Sequence, residues 1–415
     1  MKHIGIITEY NPFHNGHAYQ IEQIKKKFPE KKILVVMSGD FVQRGEPAIF
    51  NKYLRTQCAL SAGVDLVFEL PSLFATASAE YFATAAVLAL AKTEVVDTLC
   101  FGAEHDDLDA FYQIATLLLE EPSDYQKQLK IHLKSGLSYP KARTLAIAHH
   151  LQNERYTDIL RNPNNILAIE YIKAILKYHL DLRPYIIKRK GSGYHELQLD
   201  PAFSSASALR NHLSNLNPSS VSPAKELAGY VPASSSIHLK QQPFAKPLFS
   251  SDFYPFLQYK LWENRGNYED YFEVTPELCD QLSALSLYPE NINDLIEHLS
   301  GKNYTRTRLN RMLLNILLQH HKQDMELAKQ IDFITYLRIL GFQKNASFLL
   351  KEMKKSCPFP IINKVSTAYK QLSAKSLSYF SQDLHNSMLY KQVYRNKYQQ
   401  IMPSEYEHSV IIHDL

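Results

Sequence analysis

The stretch Thr8-Glu9-Tyr10-Asn11-Pro12-Phe13-His14-Asn15-Gly16-His17 decides the fold of this chain. The apolar run at residues 3–7 predicts a short buried strand, and the residues after the stretch have the spacing of a helix that ends in lysines. The stretch is therefore predicted to be a strand-to-helix turn, whose backbone amides favour phosphate. Gly16 lets a ligand approach the backbone closely, and His14 and His17 are expected to face the same site.

The two histidines form a His-x-Gly-His pattern. This pattern resembles the signature of HIGH-type nucleotidyltransferases and class I tRNA synthetases. The resemblance implies that both imidazoles face the triphosphate of ATP and stabilise the charge that develops as the α-phosphate is attacked. The alternative is a pair of surface histidines in a loop. Neither Gly-x-Gly-x-x-Gly nor Gly-x-x-x-x-Gly-Lys-Ser/Thr occurs, so ATP, if used, is expected to be held by the histidine turn.

Strands and helices are predicted to alternate beyond this turn. Nearly continuous apolar runs at residues 32–39, 65–71 and 95–102 predict strands buried on both faces, and helical patterns cover residues 51–62 and 78–92. This alternation predicts an α/β fold with a Rossmann-like parallel sheet. Ligands bind such sheets at the carboxyl ends of the strands, where this chain has polar or glycine residues.

The composition is that of a soluble globular protein, with 45% hydrophobic and 21% charged residues among 415. No apolar run approaches the roughly 20 residues of a membrane-spanning helix, and the N-terminus predicts a strand rather than a signal peptide. We therefore expect a cytoplasmic protein without a membrane partner. The four cysteines are scattered without metal-binding spacing, so they are expected to be reduced, and no protein metal site is predicted.

The chain is predicted to fall into three parts. Residues 1–215 are predicted to form the nucleotidyltransferase-like, ATP-binding catalytic domain. Residues 216–250, rich in proline and serine, are predicted to be a linker or wrapping segment. Residues 251–415 are predicted to form a mostly α-helical, basic domain that binds a polyanion.

The charge distribution supports a polyanion partner for the last part. The first 120 residues carry more acidic than basic side chains, whereas residues 301–355 carry an excess of lysine and arginine. Arg306, Arg308 and Arg311 cluster at the start of a predicted helix, against its dipole, and are expected to contact phosphates. The alternative is a solvated basic face on a helical domain.

Three segments between residues 162 and 210 suggest further ligand contacts. The asparagine-rich turn at residues 162–165 opens a helix, where amides either cap the backbone or meet an adenine. A predicted strand at residues 185–189 is followed by Gly191-Ser192-Gly193, a composition that suits a phosphate or a solvated hairpin equally. Residues 203–210 resemble the Ser-Ser-Thr-x-x-Arg region of HIGH-type nucleotidyltransferases, with Ser207 where threonine is usual.

Several longer motifs closely resemble the bacterial tRNA(Met) cytidine acetate ligase family. They cover most of residues 1–210, and a segment at residues 302–308 extends the likeness into the C-terminal half. The motifs are Glu9-Tyr10-Asn11-Pro12-Phe13-His14-Asn15-Gly16-His17, Ser38-Gly39-Asp40-Phe41-Val42-Gln43-Arg44-Gly45-Glu46-Pro47, Asp65-Leu66-Val67-Phe68-Glu69-Leu70-Pro71, Phe101-Gly102-Ala103-Glu104, Pro163-Asn164-Asn165-Ile166-Leu167 and Lys302-Asn303-Tyr304-Thr305-Arg306-Thr307-Arg308.

The resemblance implies a two-step, ATP-dependent ligation. Acetate attacks the α-phosphate of ATP, giving acetyl-adenylate and pyrophosphate. The N4 amine of the wobble cytidine 34 of elongator tRNA(Met) then attacks the acetyl group as AMP leaves, giving N4-acetylcytidine. The implied partners are ATP, acetate and the anticodon stem-loop of that tRNA, with Mg²⁺ expected beside ATP and no tightly bound cofactor. The basic helical half is expected to grip the anticodon stem.

The resemblance also implies roles for individual residues. His14 and His17 are expected to stabilise the phosphoryl transition state. Asp40 and Arg44 are expected to position acetate or the cytosine, with Arg44 the better partner for a carboxylate because a guanidinium pairs with it bidentately. Asn165 and Arg210 are further candidates for ATP contacts. The expected ATP contacts are Ile7, Thr8, Glu9, Tyr10, Asn11, Pro12, Phe13, His14, Asn15, Gly16, His17, Gln20, Gly102, Asn162, Lys188 and Arg189.

Two other functions compete with this reading. A small-molecule adenylyltransferase of cofactor synthesis carries the same histidine turn, but such enzymes are usually short and give no reason for a second, basic half. A catalytically silent tRNA-binding protein could keep the fold. The intact His14 and His17 argue against it.

Overall fold

The computed structural model describes residues 2–190, 199–200, 203–217, 222–301 and 304–414. Two sequence predictions lie outside these residues. They are the phosphate-favouring turn Gly191-Ser192-Gly193 and the first two residues, Lys302-Asn303, of the C-terminal family motif.

A mixed sheet forms the centre of the molecule. The strands of the described residues are β1 (His3–Thr8), β2 (Ile33–Ser38), β3 (Phe41–Val42), β4 (Glu46–Pro47), β5 (Leu66–Leu70), β6 (Val96–Ala103), β7 (Arg183–Lys188), β8 (Leu337–Gln343), β9 (Ile361–Ile362) and β10 (Ile411–His413). Eight of these strands form one sheet in the order β10-β8-β5-β2-β1-β6-β7, with β9 beside β8, and β3 pairs with β4 as a separate antiparallel hairpin. The five strands β5, β2, β1, β6 and β7 are parallel, so the predicted α/β fold with a Rossmann-like sheet is confirmed.

Helices connect the strands and make up most of the C-terminal half. In the described part of the chain they are α1 (Asn15–Lys27), α2 (Lys52–Ser61), α3 (Ser72–Ala75), α4 (Ala79–Ala91), α5 (Leu108–Glu120), α6 (Ser123–Lys134), α7 (Tyr139–His150), α8 (Arg155–Arg161), α9 (Pro163–Lys177), α10 (Ala206–Ser214), α11 (Pro223–Glu226), α12 (Ala233–Gln241), α13 (Ser250–Glu263), α14 (Pro276–Ala284), α15 (Ile292–Leu299), α16 (Arg306–Leu318), α17 (Lys322–Gln330), α18 (Ser347–Ser356), α19 (Val365–Gln371) and α20 (Ala374–Tyr398), with a short 3₁₀ helix at Lys344–Ala346.

The sheet is buried on both faces because its central strands are continuously apolar. All six residues of β2 are buried. Leu34 and Val36 pack into the core on one face, whereas Val35 and Met37 pack into the core on the other. Side chains alternate across a strand, so a run without polar residues can be buried only between two layers of helices. This burial holds the carboxyl ends of the strands in fixed positions.

The C-terminal half contributes strands to the same sheet. β8 pairs antiparallel with β5, placing Phe342 opposite Leu66, and β9 and β10 pair with β8. The sequence predicted a mostly helical region beyond residue 250 and named no strand there, because a short apolar run such as residues 337–343 cannot be assigned to strand or helix by periodicity alone. The division into domains at residues 215 and 250 stays a prediction.

A buried cluster of charged side chains also joins the two halves. Lys52 lies 2.8 Å from a carboxylate oxygen of Glu69 and 3.0 Å from one of Glu405, and Arg338 pairs with the same two carboxylates. Burial opposes ionisation of Glu405, yet Lys52 and Arg338 outweigh it and hold the pKa of Glu405 well below its usual range. We call Lys52, Glu69, Arg338, Lys391 and Glu405 the buried charge cluster.

Candidate active site

A cavity of about 370 Å³ lies at the carboxyl ends of β1 and β6 and just past the end of β7. This is the edge at which open parallel sheets bind ligands. Further walls come from the turn before α1, the β3–β4 hairpin and the first turns of α9, α10 and α16. The cavity therefore collects residues from both halves of the chain.

The histidine turn presents two hydrogen-bond donors at this cavity. His14 is the N-cap of α1, and its Nδ1 accepts a hydrogen bond from the backbone N–H of Gly16 at 3.0 Å. Nδ1 of His17 accepts one from the backbone N–H of His14 at 3.3 Å. Because both Nδ1 atoms accept, each neutral ring carries its proton on Nε2. The rings stack with their centroids 3.8 Å apart, so the two donors belong to one rigid unit.

Both imidazoles are held in the neutral form. Burial, followed by the charges of Arg189 and Arg210, lowers the pKa of His14 to about 3. Burial, His14 and Arg189 lower the pKa of His17 well below its ordinary value. Neutral donors fixed beside arginines suit negative charge that develops during a reaction, since they need no reorganisation when it appears.

Arg55 of α2 anchors the turn from behind. This buried guanidinium donates hydrogen bonds to backbone carbonyls: from Nη1 to Glu9 at 2.6 Å and Ser38 at 3.0 Å, and from Nε to Phe50 at 2.9 Å. Nη2 donates to the carbonyl of Gly39. A single side chain therefore ties the residues that follow β1 and β2 to the loop before α2.

One end of the cavity is strongly cationic. Arg210 donates from Nη1 to the carbonyl of Asn11 at 2.8 Å, and the hydroxyl of Ser207 accepts from Arg210 at 3.3 Å and from Arg44 at 3.4 Å. The Glu9 carboxylate lies on the same wall and accepts from the backbone N–H of Gln43 at 2.7 Å. Burial raises the pKa of Glu9. This end suits phosphate and carboxylate groups.

The other end is lined by apolar residues and a few amides, with Arg189 beside them. Phe101, Leu167 and Gly102 line it together with Asn164 in the first turn of α9. A Cβ at Gly102 would lie 3.4 Å from Cγ of Arg189, so the glycine leaves room for that arginine to cross the strand end. Flat apolar walls with a few polar atoms are typical of sites for aromatic ligands.

The structure brings most of the predicted ATP contacts together. Pro12, Phe13, Asn15 and Gly16 belong to the turn but do not line the cavity. Asn165 lies beneath it, where its Oδ1 accepts hydrogen bonds from the backbone N–H groups of Glu104 and His105. The predicted residues that line the cavity are Ile7, Thr8, Glu9, Tyr10, Asn11, His14, His17, Gln20, Arg44, Gly102, Arg189 and Arg210.

Three further predicted residues do not line the cavity. Asp40 is buried and lines a different cavity, and its carboxylate accepts hydrogen bonds from the backbone N–H of Lys52 at 3.0 Å and the hydroxyl of Ser387 at 2.8 Å. Asn162 donates back to the carbonyl of Asp158 at 3.1 Å, so it serves the turn before α9. Lys188 is exposed and pairs with Asp106 at 3.2 Å. In each case a protein partner holds the side chain elsewhere.

The three predicted tRNA-binding arginines differ in their surroundings. Arg306 is exposed and hydrogen-bonds to Asn293, whereas Arg308 is half-buried, with its guanidinium 5.1 Å from the ring centre of Tyr304. Arg311 is largely buried and pairs with Glu273 at 2.9 Å. Thr307, between Arg306 and Arg308, lines the cavity, so the start of α16 lies at the cavity mouth.

Several lining residues were not among the site residues predicted from the sequence. Gln43, Asn164 and Ser207 stood within motifs that were quoted, whereas the apolar residues on helices carried no signal that separates a ligand wall from a core. The additional lining residues are Gln43, Ala79, Phe82, Phe101, Pro163, Asn164, Ile166, Leu167, Tyr171, Ser205, Ala206, Ser207 and Thr307.

The part of the chain that the structure describes holds neither a metal-type cluster nor a membrane-spanning helix. In residues 2–190, 199–200, 203–217, 222–301 and 304–414, no three or more His, Cys, Asp or Glu side chains group as a metal site. Over the same ranges, no helix combines the length and apolar character needed to cross a membrane.

Comparison with known proteins gives a consistent result across the whole chain. The model of the HIGH Nucleotidyl Transferase family matches residues 1–405. The tRNA(Met) cytidine acetate ligase of Thermoanaerobacter sp. (strain X514) is 40% identical over 399 residues, covering 95% of this chain and 96% of that protein. The protein of the same name from Acetivibrio thermocellus is 36% identical over 417 residues, covering 99% and 100%.

Solved structures agree with these sequence relatives. The crystal structure of Thermotoga maritima TmcAL without ligand superposes with a TM-score of 0.92 at 30% sequence identity, covering all of both chains. A second form of that protein, bound with alpha-thio ATP, superposes with a TM-score of 0.90 at 29% identity.

Proposed function

Because the chain belongs to the tRNA(Met) cytidine acetate ligases of the HIGH nucleotidyl transferase family, we propose that it is an ATP-dependent ligase that acetylates N4 of the wobble cytidine of elongator tRNA(Met). The observation that carries the proposal is the stacked pair of neutral histidines in a cavity that is cationic at one end and apolar at the other. The Thermotoga relative crystallised with alpha-thio ATP supports ATP as the co-substrate.

The first step is the activation of acetate. The Nε2–H groups of His14 and His17 donate to the phosphates, and Arg210 with Ser207 holds the β- and γ-phosphates at the cationic end. An acetate oxygen attacks the α-phosphorus, pyrophosphate leaves and acetyl-adenylate forms. Arg44 orients the acetate carboxylate, because a guanidinium can hold both of its oxygens. The protein contributes position and charge stabilisation, which dominate catalysis of phosphoryl and nucleotidyl transfer.

The second step forms the carbon–nitrogen bond. The N4 amine of cytidine attacks the acetyl carbonyl carbon, AMP leaves with the bonding electrons, and the amine loses a proton. The target base must leave the anticodon stack to enter the cavity. Thr307 at the cavity mouth, with the exposed Arg306 and the half-buried Arg308 beside it, supports the entry of RNA from the side of α16.

Mg²⁺ is expected to enter with ATP. The groups at the cationic end are mostly arginine, neutral histidine and hydroxyl side chains, which do not form a carboxylate cage for a hard cation. Phosphate oxygens of ATP would therefore hold the ion. We place the reaction in the cytoplasm, with the anticodon stem-loop as the recognised part of the tRNA.

The direct test is mass spectrometry of nucleosides from unmodified elongator tRNA(Met) incubated with this protein, ATP, Mg²⁺ and labelled acetate. Labelled N4-acetylcytidine that disappears in the His14→Ala/His17→Ala double variant is the expected result. Transfer of AMP to a small acid or phosphate ester, with no label on the RNA, would instead identify a cofactor adenylyltransferase. Salt-dependent tRNA binding without either product would identify the chain as a catalytically silent tRNA-binding protein.

A further inference from the structure

Glu9 is a carboxylate at the cavity wall with one oxygen left free. It follows β1 and is half-buried, and its Oε1 accepts a hydrogen bond from the backbone N–H of Gln43 at 2.7 Å. Oε2 accepts none from the part of the chain that the structure describes. Of the described residues, no other Asp or Glu lines the cavity. One oxygen is therefore fixed by the backbone, while the other is open to a ligand.

The other ionisable side chains described at the cavity have no basic atom free. Nδ1 of His14 and of His17 already accepts a hydrogen bond, and Nε2 of each neutral ring carries a proton, so neither imidazole has a free lone pair. Burial raises the pKa of Tyr10 and of Tyr171, so both phenols keep their protons. The arginines are always protonated. Among these side chains, Glu9 is left as the proton acceptor.

Several elements place titratable or charged groups around Glu9. These groups are Arg44 and Glu46 of the β3–β4 hairpin, Arg55 of α2, Tyr171 of α9 and Arg210 of α10. Burial raises the pKa of Glu9, whereas the N–H of Gln43 and the charges of Arg44 and Arg210 act to lower it. A raised pKa makes this carboxylate a stronger base than usual, and the bond from Gln43 supports its ionised form.

Glu9 also lies beside the place proposed for acetate. Gln43, whose N–H holds Glu9, is followed in the chain by Arg44, which orients the acetate carboxylate in the proposed first step. Once pyrophosphate has left, N4 of the cytidine must reach the acetyl carbon at that place. The lone pair of N4 is shared with the cytosine ring, so the amine is a weak nucleophile. A base that removes its proton as the new bond forms therefore lowers the barrier.

We propose that Oε2 of Glu9 is the general base of acetyl transfer, removing a proton from N4 of the cytidine as the carbon–nitrogen bond forms. The bond between the acetyl carbon and the phosphate oxygen breaks, and its electron pair leaves with AMP. Glu9 then releases the proton to solvent. The inference deepens the proposed function and rests on its second step.

The test separates the two steps and uses the full chain. Synthetic acetyl-adenylate and unmodified elongator tRNA(Met), mixed with an excess of protein, report the rate of the transfer step alone. Glu9→Gln keeps the size of the side chain and an oxygen for the N–H of Gln43. We expect it to transfer acetyl about 100-fold more slowly than the wild type, the usual contribution of a general base. The wild-type rate should fall on acidification, with a midpoint above the ordinary carboxyl range, whereas the rate in Glu9→Gln should not.

Hydroxylamine measures the first step. This strong nucleophile captures acetyl-adenylate as acetohydroxamate without help from a base, so Glu9→Gln should form acetohydroxamate from ATP and acetate at close to the wild-type rate. Equal losses in both assays would overturn the inference, because Glu9 would then serve the first step or the fold. An unchanged transfer rate would also overturn it and would assign the proton to the departing phosphate.

Two further variants complete the test. Glu46→Gln removes a carboxylate that lies 3.6 Å from Arg210 but does not line the cavity, so it is the matched control and should keep the wild-type pH profile. If Glu9→Gln does not fold, Glu9→Asp withdraws the carboxylate from the substrate, and its transfer should be slower yet still depend on pH. Transfer that is independent of pH in the wild type would overturn the inference. A wild type that forms neither acetohydroxamate nor acetylcytidine would instead overturn the proposed function.

Discussion

At the scale of the residue, the histidine turn holds a buried imidazole ring that can still donate a hydrogen bond to a ligand. His14 is almost completely buried, and both of its roles depend on this: Nδ1 caps α1, and Nε2 keeps its proton for a ligand. A lysine pair at the same place would carry charge into a buried site at a high desolvation cost. Neutral imidazoles avoid that cost and still donate to phosphate.

Removing either imidazole should therefore reduce catalysis without unfolding the protein. We expect His14→Ala and His17→Ala each to lower kcat for acetylcytidine formation by about 100- to 1,000-fold, the effect of deleting one preorganised donor. The measurement is labelled acetate incorporated into tRNA under saturating ATP. His149→Ala, an exposed histidine on α7, is the control, and a similar loss there would contradict the assignment.

A second buried histidine makes stability depend on pH. His320 hydrogen-bonds to Asn315, Ser72 and Asn386, and burial lowers its pKa to about 3. On acidification the unfolded chain binds this proton near pH 6.5, before the folded chain does, so stability falls as pH drops from 7 toward 3. From pH 7 to pH 5 this histidine alone should cost about 2 kcal/mol.

Urea unfolding at the two pH values measures this effect. His320→Gln should be less stable than the wild type at pH 7, but it should lose about 2 kcal/mol less between pH 7 and pH 5. Equal losses in the two proteins would show that His320 does not titrate on unfolding.

At the scale of the element, the β3–β4 hairpin connects the cavity to α16. Gly45 in its turn has φ of 75°, and a Cβ there would overlap the backbone of Asn310 and Arg311. The hairpin also carries Arg44, whose guanidinium reaches Ser207. Close contact between Gly45 and α16 thus sets the position of Arg44, which lines the cavity.

Gly45→Ala should disturb both stability and activity. Left-handed backbone and overlap with the helix together should cost about 3 kcal/mol of unfolding free energy. Gly266→Ala is the matched control, since φ is 83° there but nothing lies within 4 Å of the added carbon. Only the backbone strain remains in that variant, about 1 kcal/mol. Urea unfolding measures the stability loss of both variants. The KM for acetate should rise in Gly45→Ala alone.

At the scale of the whole molecule, the buried charge cluster holds the C-terminal half against the sheet. Glu405 contacts Lys52 at 3.0 Å and Lys391 at 2.6 Å, and it also pairs with Arg338. Replacing one member leaves the remaining charged side chains buried without enough opposite charge to compensate them. The two halves should therefore unfold together rather than as separate domains.

Glu405→Gln tests this coupling. We expect a loss of about 3 to 5 kcal/mol, measured by urea unfolding followed at both far-ultraviolet dichroism and the fluorescence of Trp262. Asp414→Asn, which removes a fully exposed pair with Lys344, should cause no measurable loss. Two separate transitions in the wild type would show that the halves are independent.

The charge distribution predicts how the molecule binds RNA. In the Arg306→Gln/Arg308→Gln double variant, the slope of log K for tRNA against log salt should fall by about 2, roughly one for each lost phosphate contact. Arg311→Gln should change the slope little, because Arg311 already pairs with Glu273. Filter binding over a series of salt concentrations gives the slopes, and equal changes in both variants would contradict this assignment.

The sequence by itself determined the parallel strands, the turn between β1 and α1 and the histidine pair. Each of these features depends on residues close together in the chain, so periodicity and turn chemistry are enough to find them. The helical pattern of the C-terminal half was determined in the same way. Its strands were not, because residues 337–343 become a strand only by pairing with β5.

Only the tertiary structure decided which candidate side chains face the cavity. Asp40 accepts a hydrogen bond from Ser387, and Arg311 pairs with Glu273. Asn164 rather than Asn162 lines the cavity wall. The side chains of Asp40 and Arg311 are held by partners distant in the chain, and Asn164 is held by Glu104. A buried or half-buried polar group is oriented by whichever partner satisfies it, and those partners are brought together only when the chain folds.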